Sequence, residues 1–311
     1  MTRGKRFQAI VLLMVFVCSA TVGRADVTLA LHKTFVNQVK NKATVITDLH
    51  VDAHPNSPHA IKSSGDDGDI HMAGRDSLFK LPLVAEIINA RLEALAMSLL
   101  KQTTPEQPVS VTGVWRIWFE HLGKEDQIQG KKVLAPATSN PDHLCEIHPI
   151  TKFAGADVLN SFVEIKAGIK VYQAYSASKA FSFYETIDAT IQASNTAITI
   201  TSGQSKYNYT EFVIELVGKP KDVSDGYIVL ANVFDKDNVE EPVASDIRMV
   251  FVKGTDPADK LLKLAKGDSL HVLGIPRVNL AEVSALASAH GKVAFEHKLP
   301  YELIIAAVLP D

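Results

Sequence analysis

The sequence predicts a mainly β protein with inserted helices: an OB-like β-barrel followed by a second antiparallel β-rich domain, either barrel or sandwich. Three observations carry this expectation. The first half runs strand, strand, helix, strand, strand, the order of a small closed barrel with its helix inserted. From residue 154 the chain breaks into short β-branched and aromatic runs separated by Gly, Asp and Asn. Its 311 residues are also enough for two cores.

The N-terminal residues stand apart from the fold. Arg3, Lys5 and Arg6 precede an apolar run from Ala9 to Val17, and small residues then lead to Gly23-Arg24-Ala25. That order is the pattern of a cleavable secretory signal, with an apolar part too short to span a bilayer. The expected division is therefore a signal peptide over 1–25, an OB-like domain over 26–153 and a second β-rich domain over 154–311. Cys18 follows Val17 rather than a small residue, which argues against a lipid anchor, and no later stretch has the length of a membrane span. The expected location is secreted or periplasmic.

Charge and cysteine content narrow the partners. Cleavage would remove four basic residues and no acidic ones, so 32 Lys+Arg against 35 Asp+Glu become 28 against 35, a net −7. Affinity for nucleic acid without regard to sequence requires clustered Lys and Arg on phosphates, and no such cluster is present. Cys145 would be the one cysteine of the mature chain, which leaves no intrachain disulfide.

Each element follows from its local pattern. Apolar and polar residues alternate over 43–51, which predicts a strand; a polar loop over 54–68 and renewed alternation over 69–73 complete a long hairpin. Between Leu81 and Leu100, Val84, Ile87, Ile88, Leu92, Leu95 and Leu99 recur at three and four, with Pro82 near the start, and this spacing predicts the main helix. Pro105 and Pro108 close it, and 109–120 and 143–153 read as strands. Further strands are expected over 162–165, 169–175, 180–184, 197–201, 212–217, 227–234, 248–252, 270–275 and 301–308, with helices over 256–265 and 280–289. The strand, helix, strand passage at 248–275 fits a second OB-like barrel.

Two catalytic motifs occur without their context. Tyr175-Ser176-Ala177-Ser178-Lys179 matches the Tyr-x-x-x-Lys pair of short-chain dehydrogenases, and Ser176-x-x-Lys179 the nucleophile motif of penicillin-recognising enzymes. The first needs a glycine-rich dinucleotide turn and the second needs Lys-Thr-Gly and Ser-Asp-Asn, all missing here. Both matches are read as coincidence. Gly-x-Ser-x-Gly, the P-loop and His-Glu-x-x-His are absent as well.

The histidines carry the remaining signal: eight of the eleven precede residue 154. Three have a carboxylate beside them, in Asp69-x-His71, Glu120-His121 and Glu146-x-His148. Residues two apart on a strand share a face, so two such strands side by side would converge imidazoles and carboxylates on an outward or cleft-lining surface. Asp69, His71, His121, Glu146 and His148 are thus the candidate ligands for a divalent transition metal such as Zn, Mn or Fe, or a carboxylate-held general base. The competing reading is a structural one, of solvated strand faces or core histidines satisfied by a hydrogen bond.

The blocks Asp67-Gly68-Asp69-Ile70-His71, Val84-Ala85-Glu86-Ile87, Thr112-Gly113-Val114-Trp115 through Glu120-His121, and Glu146-Ile147-His148-Pro149-Ile150 resemble, in the same order, a loosely defined group of exported bacterial proteins. In that group a small OB-like domain ends in Glu-Leu/Ile-His-Pro-Val. The resemblance covers roughly residues 43–153, and it implies an OB-like barrel and an exported location, with no settled activity. Residues 123–142 replace the group's usual Gln-rich, Gly-rich turn. The functional expectation is a secreted or periplasmic binding or accessory protein. Its rivals are a metal-dependent, phosphodiesterase-like hydrolase built on the same five residues, and a structural envelope component.

Overall fold

The computed structural model describes residues 26–61, 66–167, 170–171 and 174–310; the expected signal peptide lies outside them. The chain is mainly β, with two closed five-stranded barrels and a few helices. In the first barrel, β1 (Thr44–Ala53), β2 (Ile70–Asp76), β3 (Leu83–Ile87), β4 (Val109–Ile117) and β5 (Cys145–Phe153) follow one another along the chain. β1 pairs antiparallel with β2 and β4, β2 with β3, and β4 with β5; a parallel β3–β5 pairing closes the ring. The expected hairpin around the 54–68 loop is the β1–β2 pair.

The second barrel repeats this plan. β6 (Thr210–Leu216), β7 (Gly226–Phe234), β8 (Ala244–Val252), β9 (Ser269–Val278) and β10 (Tyr301–Val308) are arranged with β7 against β6 and β8, and β9 against β6 and β10. A parallel β8–β10 pairing closes it. Each barrel inserts a helix between its third and fourth strands: α1 (Ala94–Leu100) in the first and α2 (Asp256–Leu261) in the second. The second half is therefore a barrel rather than a sandwich, and the 248–275 passage is its β8, α2 and β9.

Three expected elements differ from the structure. Residues 81–100 form β3, a 3-10 turn (Ala90–Leu92) and only then α1. All five residues of β3 are buried, because one face meets the barrel core and the other is covered, and a continuous apolar run can mimic helical spacing. Asn89, at φ 52°, turns the chain out of the strand. Residues 180–184 lie in a helix (Ala177–Tyr184) that buries Ala180, Phe181 and Tyr184 on one side; Asp235 accepts hydrogen bonds from the Ser178 amide and hydroxyl at its start. This helix contains most of the coincidental Tyr-x-x-x-Lys match, and its Lys179 ammonium lies over the Tyr175 and Tyr207 rings. Phe162 ends a 3-10 turn (Leu159–Phe162) instead of starting a strand. The strand expected over 169–175 falls partly outside the described residues.

A third sheet was not anticipated. It runs Phe295–Lys298, Asp188–Ala193, Ala197–Ser202, Val27–His32, Gln127–Ile128, so the first described strand pairs with residues 197–202. No helix among the described residues is long and apolar enough to cross a membrane.

The barrels meet wall to wall. Along β8 and β10, Met249, Phe251, Leu303 and Ile305 point into the main core, while Val250, Val252, Ile304 and Ala306 join a second apolar cluster with Ile88 and Val114 of the first barrel. Arg277 crosses this contact, fully buried. Its guanidinium stacks 3.6 Å from the Trp115 ring centroid, donates to the Trp115 carbonyl at 2.9 Å and pairs with Glu302 at 2.6 Å. Removing Arg277 leaves the buried Glu302 with Arg248, 3.1 Å away, as its remaining cation and takes the guanidinium off the Trp115 ring and carbonyl, so Arg277→Ala should cost about 3 kcal/mol. Urea denaturation of the variant checks this; a loss below about 1 kcal/mol would contradict it.

Candidate functional site

The outer wall of the first barrel, where β2, β3, β5 and β4 lie side by side, carries the polar residues. Strand alternation sends Ile70, Met72, Ala85, Ile87 and Ile147 into the core, and so turns His71, Glu86, Glu146 and His148 outward. His71 stands opposite Glu86, and Glu146 opposite Arg116. The two histidine strands are not neighbours as expected, since β3 lies between β2 and β5. Glu86 on β3 is the residue that joins them.

The result is one connected chain of charges. Asp69 bridges two imidazoles: His59 Nδ1 lies 2.8 Å from its Oδ1, and His71 Nε2 contacts its Oδ2. His71 Nε2 is also 3.5 Å from Glu86 Oε1, and Glu86 Oε2 is 2.6 Å from His148 Nδ1. This last contact is an ion pair off the ring's N–H axis, so Nδ1 has no aligned hydrogen bond. On its other side, His148 Nε2 is 2.8 Å from the Tyr209 hydroxyl, which donates to Asp67 at 2.5 Å. Glu146 contacts Arg116 and lies 3.2 Å from His143 Nε2, and the His143 ring stacks on His121 with centroids 4.7 Å apart.

All five expected residues therefore belong to the network, yet not to one ligand shell. Three sets of ligand atoms converge within 4.8 Å: His59, Asp69 and His71; Glu86, Glu146 and His148; and His121, His143 and Glu146. The sequence reading missed His59, Glu86 and His143 as members, along with Arg116, Asp67 and Tyr209. It also expected accessible imidazoles, whereas His148 and Glu146 are only 1% and 2% exposed. The second barrel is the cause: Tyr209, just before β6, and the Pro276 carbonyl of β9, which accepts from Arg116, cover this wall. The His59 side chain remains 51% exposed at one end of the chain.

Burial makes the charges interdependent. Burial alone would drive the imidazole of His148 towards neutrality, but the adjacent Glu86 and Glu146 carboxylates outweigh it and raise its pKa to about 10. His71 is raised against the same burial effect by Glu86 and Asp69, to about 9. Burial would likewise raise the carboxyls, yet Arg116 holds Glu146 well below its usual range, and His148 and His71 lower Glu86. Asp67 is different: burial, reinforced by Asp69, pushes it up to about 8. The middle group is thus an imidazolium enclosed by its own counter-ions, with little left to offer a metal.

Compared with known proteins, the chain matches no family model, and no curated protein matches it significantly.

Two outcomes follow for His148. Removing it leaves Glu86 buried without its main cation, so His148→Ala should cost about 3–5 kcal/mol in chemical denaturation at pH 7. Because its folded pKa lies above the unfolded value of about 6.5, its stabilisation is complete below that pH and is lost as pH rises through 10. Unfolding free energy measured from pH 7 to 10.5 should therefore fall in the wild type and fall less steeply in His148→Ala.

Proposed function

We propose that the protein is an exported binding protein whose ligand is a divalent transition metal, held by His59, Asp69 and His71 at the solvent-facing end of the network. The observation that carries this reading is the geometry at Asp69: its two carboxylate oxygens each face an imidazole nitrogen, and Glu86 Oε1 stands 3.5 Å from the same His71 nitrogen. Two imidazoles and one or two carboxylates form a donor set suited to Zn, Mn or Fe, and the ion would replace the proton that His71 otherwise holds between Asp69 and Glu86. Half-exposed His59 offers an entry path, and the backbone bond from the His59 amide to the Asp69 carbonyl, 2.8 Å, fixes the loop to the strand.

Export is supported by the sequence of residues 1–25, with its basic start, short apolar core and small-residue end. The binding reading takes precedence over the hydrolase because Glu146 and His148, which hydrolysis would use at a substrate, are enclosed between the barrels and engaged by Arg116, Glu86 and Tyr209.

His59→Ala separates metal binding from folding. An exposed ligand contributes little to the fold, so stability should change by no more than about 0.5 kcal/mol. Affinity for Zn should fall by at least about 10–100-fold, the loss caused by removing even an outer-shell partner. Isothermal titration of wild type and variant with Zn checks both expectations; equal affinities would remove the basis for this function.

A further inference from the structure

A second group of two histidines and one carboxylate, here a glutamate, lies at the opposite end of the network, and its surroundings differ. His143 precedes β5 and is fully buried. Its Nδ1 is 2.7 Å from the Pro141 carbonyl, an oxygen that can only accept, so Nδ1 carries a proton. In the neutral ring, Nε2 then bears a lone pair directed at Glu146 Oε1, 3.2 Å away. Arg116 occupies the other Glu146 oxygen and also reaches Glu120 at 3.0 Å, so Oε1 keeps its carboxylate character. Two acceptors facing one another need a cation between them, either a proton or a metal ion.

His121 supplies the third donor. Its ring lies almost parallel to that of His143, at 15°, and among the described residues neither of its nitrogens has a hydrogen bond to the protein. One ring nitrogen from each of the two histidines and a Glu146 oxygen lie within 4.8 Å of one another, and His143 Nε2 is the nitrogen that faces Glu146. A backbone carbonyl on the distal nitrogen of a histidine is the outer-shell arrangement that fixes the tautomer and orientation of a metal ligand. His121 is partly exposed, which leaves a path from solvent.

The position of this group gives an ion a specific task. His121 and His143 flank the long 123–142 connection, joined by a backbone hydrogen bond of 3.0 Å from the His143 amide to the His121 carbonyl. The base is tight: a Cβ on Gly123 would lie 2.5 Å from Asp142 Oδ2. Beyond the base, Gln127–Ile128 pairs with Val27–His32 of the third sheet, and the Thr28 amide donates to Asp126 at 2.9 Å. Lys131 and Lys132 are exposed on the same loop.

We infer that His121, His143 and Glu146 form a second divalent transition-metal site, and that its ion clamps the base of the 123–142 loop to the first barrel. It shares no ligand with the His59, Asp69 and His71 site, so each stands without the other.

Visible absorption during Co titration of the full mature chain, followed by trypsin digestion with and without Zn, tests the inference. The wild type should take up two equivalents, and Zn should slow cleavage at Lys131 and Lys132 by about tenfold. His121→Ala should lose one equivalent and the Zn-dependent protection, and His59→Ala should lose the other equivalent and keep the protection. His121→Gln retains side-chain bulk without a ring nitrogen; it serves as the variant if circular dichroism shows that His121→Ala is misfolded. Wild-type stoichiometry in the folded His121 variant would overturn the site, and loop cleavage indifferent to Zn in the wild type would overturn the clamp. One equivalent lost in His59→Ala alone sinks this inference and spares the proposed function; the reverse pattern does the opposite.

Discussion

The fold depends on burying two carboxylates, Glu86 and Glu146, on the wall where the barrels meet. Taking such charges out of water is costly, and only nearby cations with good geometry offset the cost. His148 stands between the two carboxylates, Arg116 lies on Glu146, and His71 approaches Glu86. The cations come from β2, β4 and β5, so the strands of the first barrel are tied by charge as well as by their hydrogen-bond ladder. The second barrel supplies two further partners, the Pro276 carbonyl for Arg116 and the Tyr209 hydroxyl for His148, so these two cations keep them only when both barrels are in place.

A repeated barrel plan makes this packing possible. Each barrel presents an outer wall next to its parallel closing pair, β3–β5 in the first and β8–β10 in the second. On the second barrel that wall is largely apolar, with Arg277 and Glu302 as an internally paired exception; on the first it is apolar at Ile88 and Val114 and ionic elsewhere. The apolar contact provides the driving force for association, and the ionic part fixes how the walls sit. Both ends of the ionic chain reach towards solvent, at His59 and at His121, and these are the ends at which the two proposed metal sites would lie.

Much of this was legible in the sequence where the determinant was local. The alternation over 43–51 predicts β1 because one of its faces really is exposed, at Ile46 and Asp48. It fails for β3, which is buried on both faces and so has no alternation to show. Asp69-x-His71 and Glu146-x-His148 were visible as pairs because a strand places i and i+2 together. Glu86 was not singled out as a member of the cluster, since within Leu83–Ile87 it reads as one polar residue on an amphipathic helix. His59, set in a polar loop, and His143, just ahead of its strand, have no periodic context at all. The burial of His148 could not be read locally, because it is imposed by Tyr209, sixty-one residues further along.

The central claim is that the shared wall is held by a buried imidazolium at position 148. Nitrogen-15 NMR of the histidine side chains in the metal-free protein, assigned by comparison with His148→Gln and recorded from pH 5 to 11, tests it most directly. The account predicts that both His148 nitrogens remain protonated at pH 7 and that the ring titrates near 10. A neutral His148 tautomer at pH 7, or titration near the ordinary value of about 6.5, would contradict it.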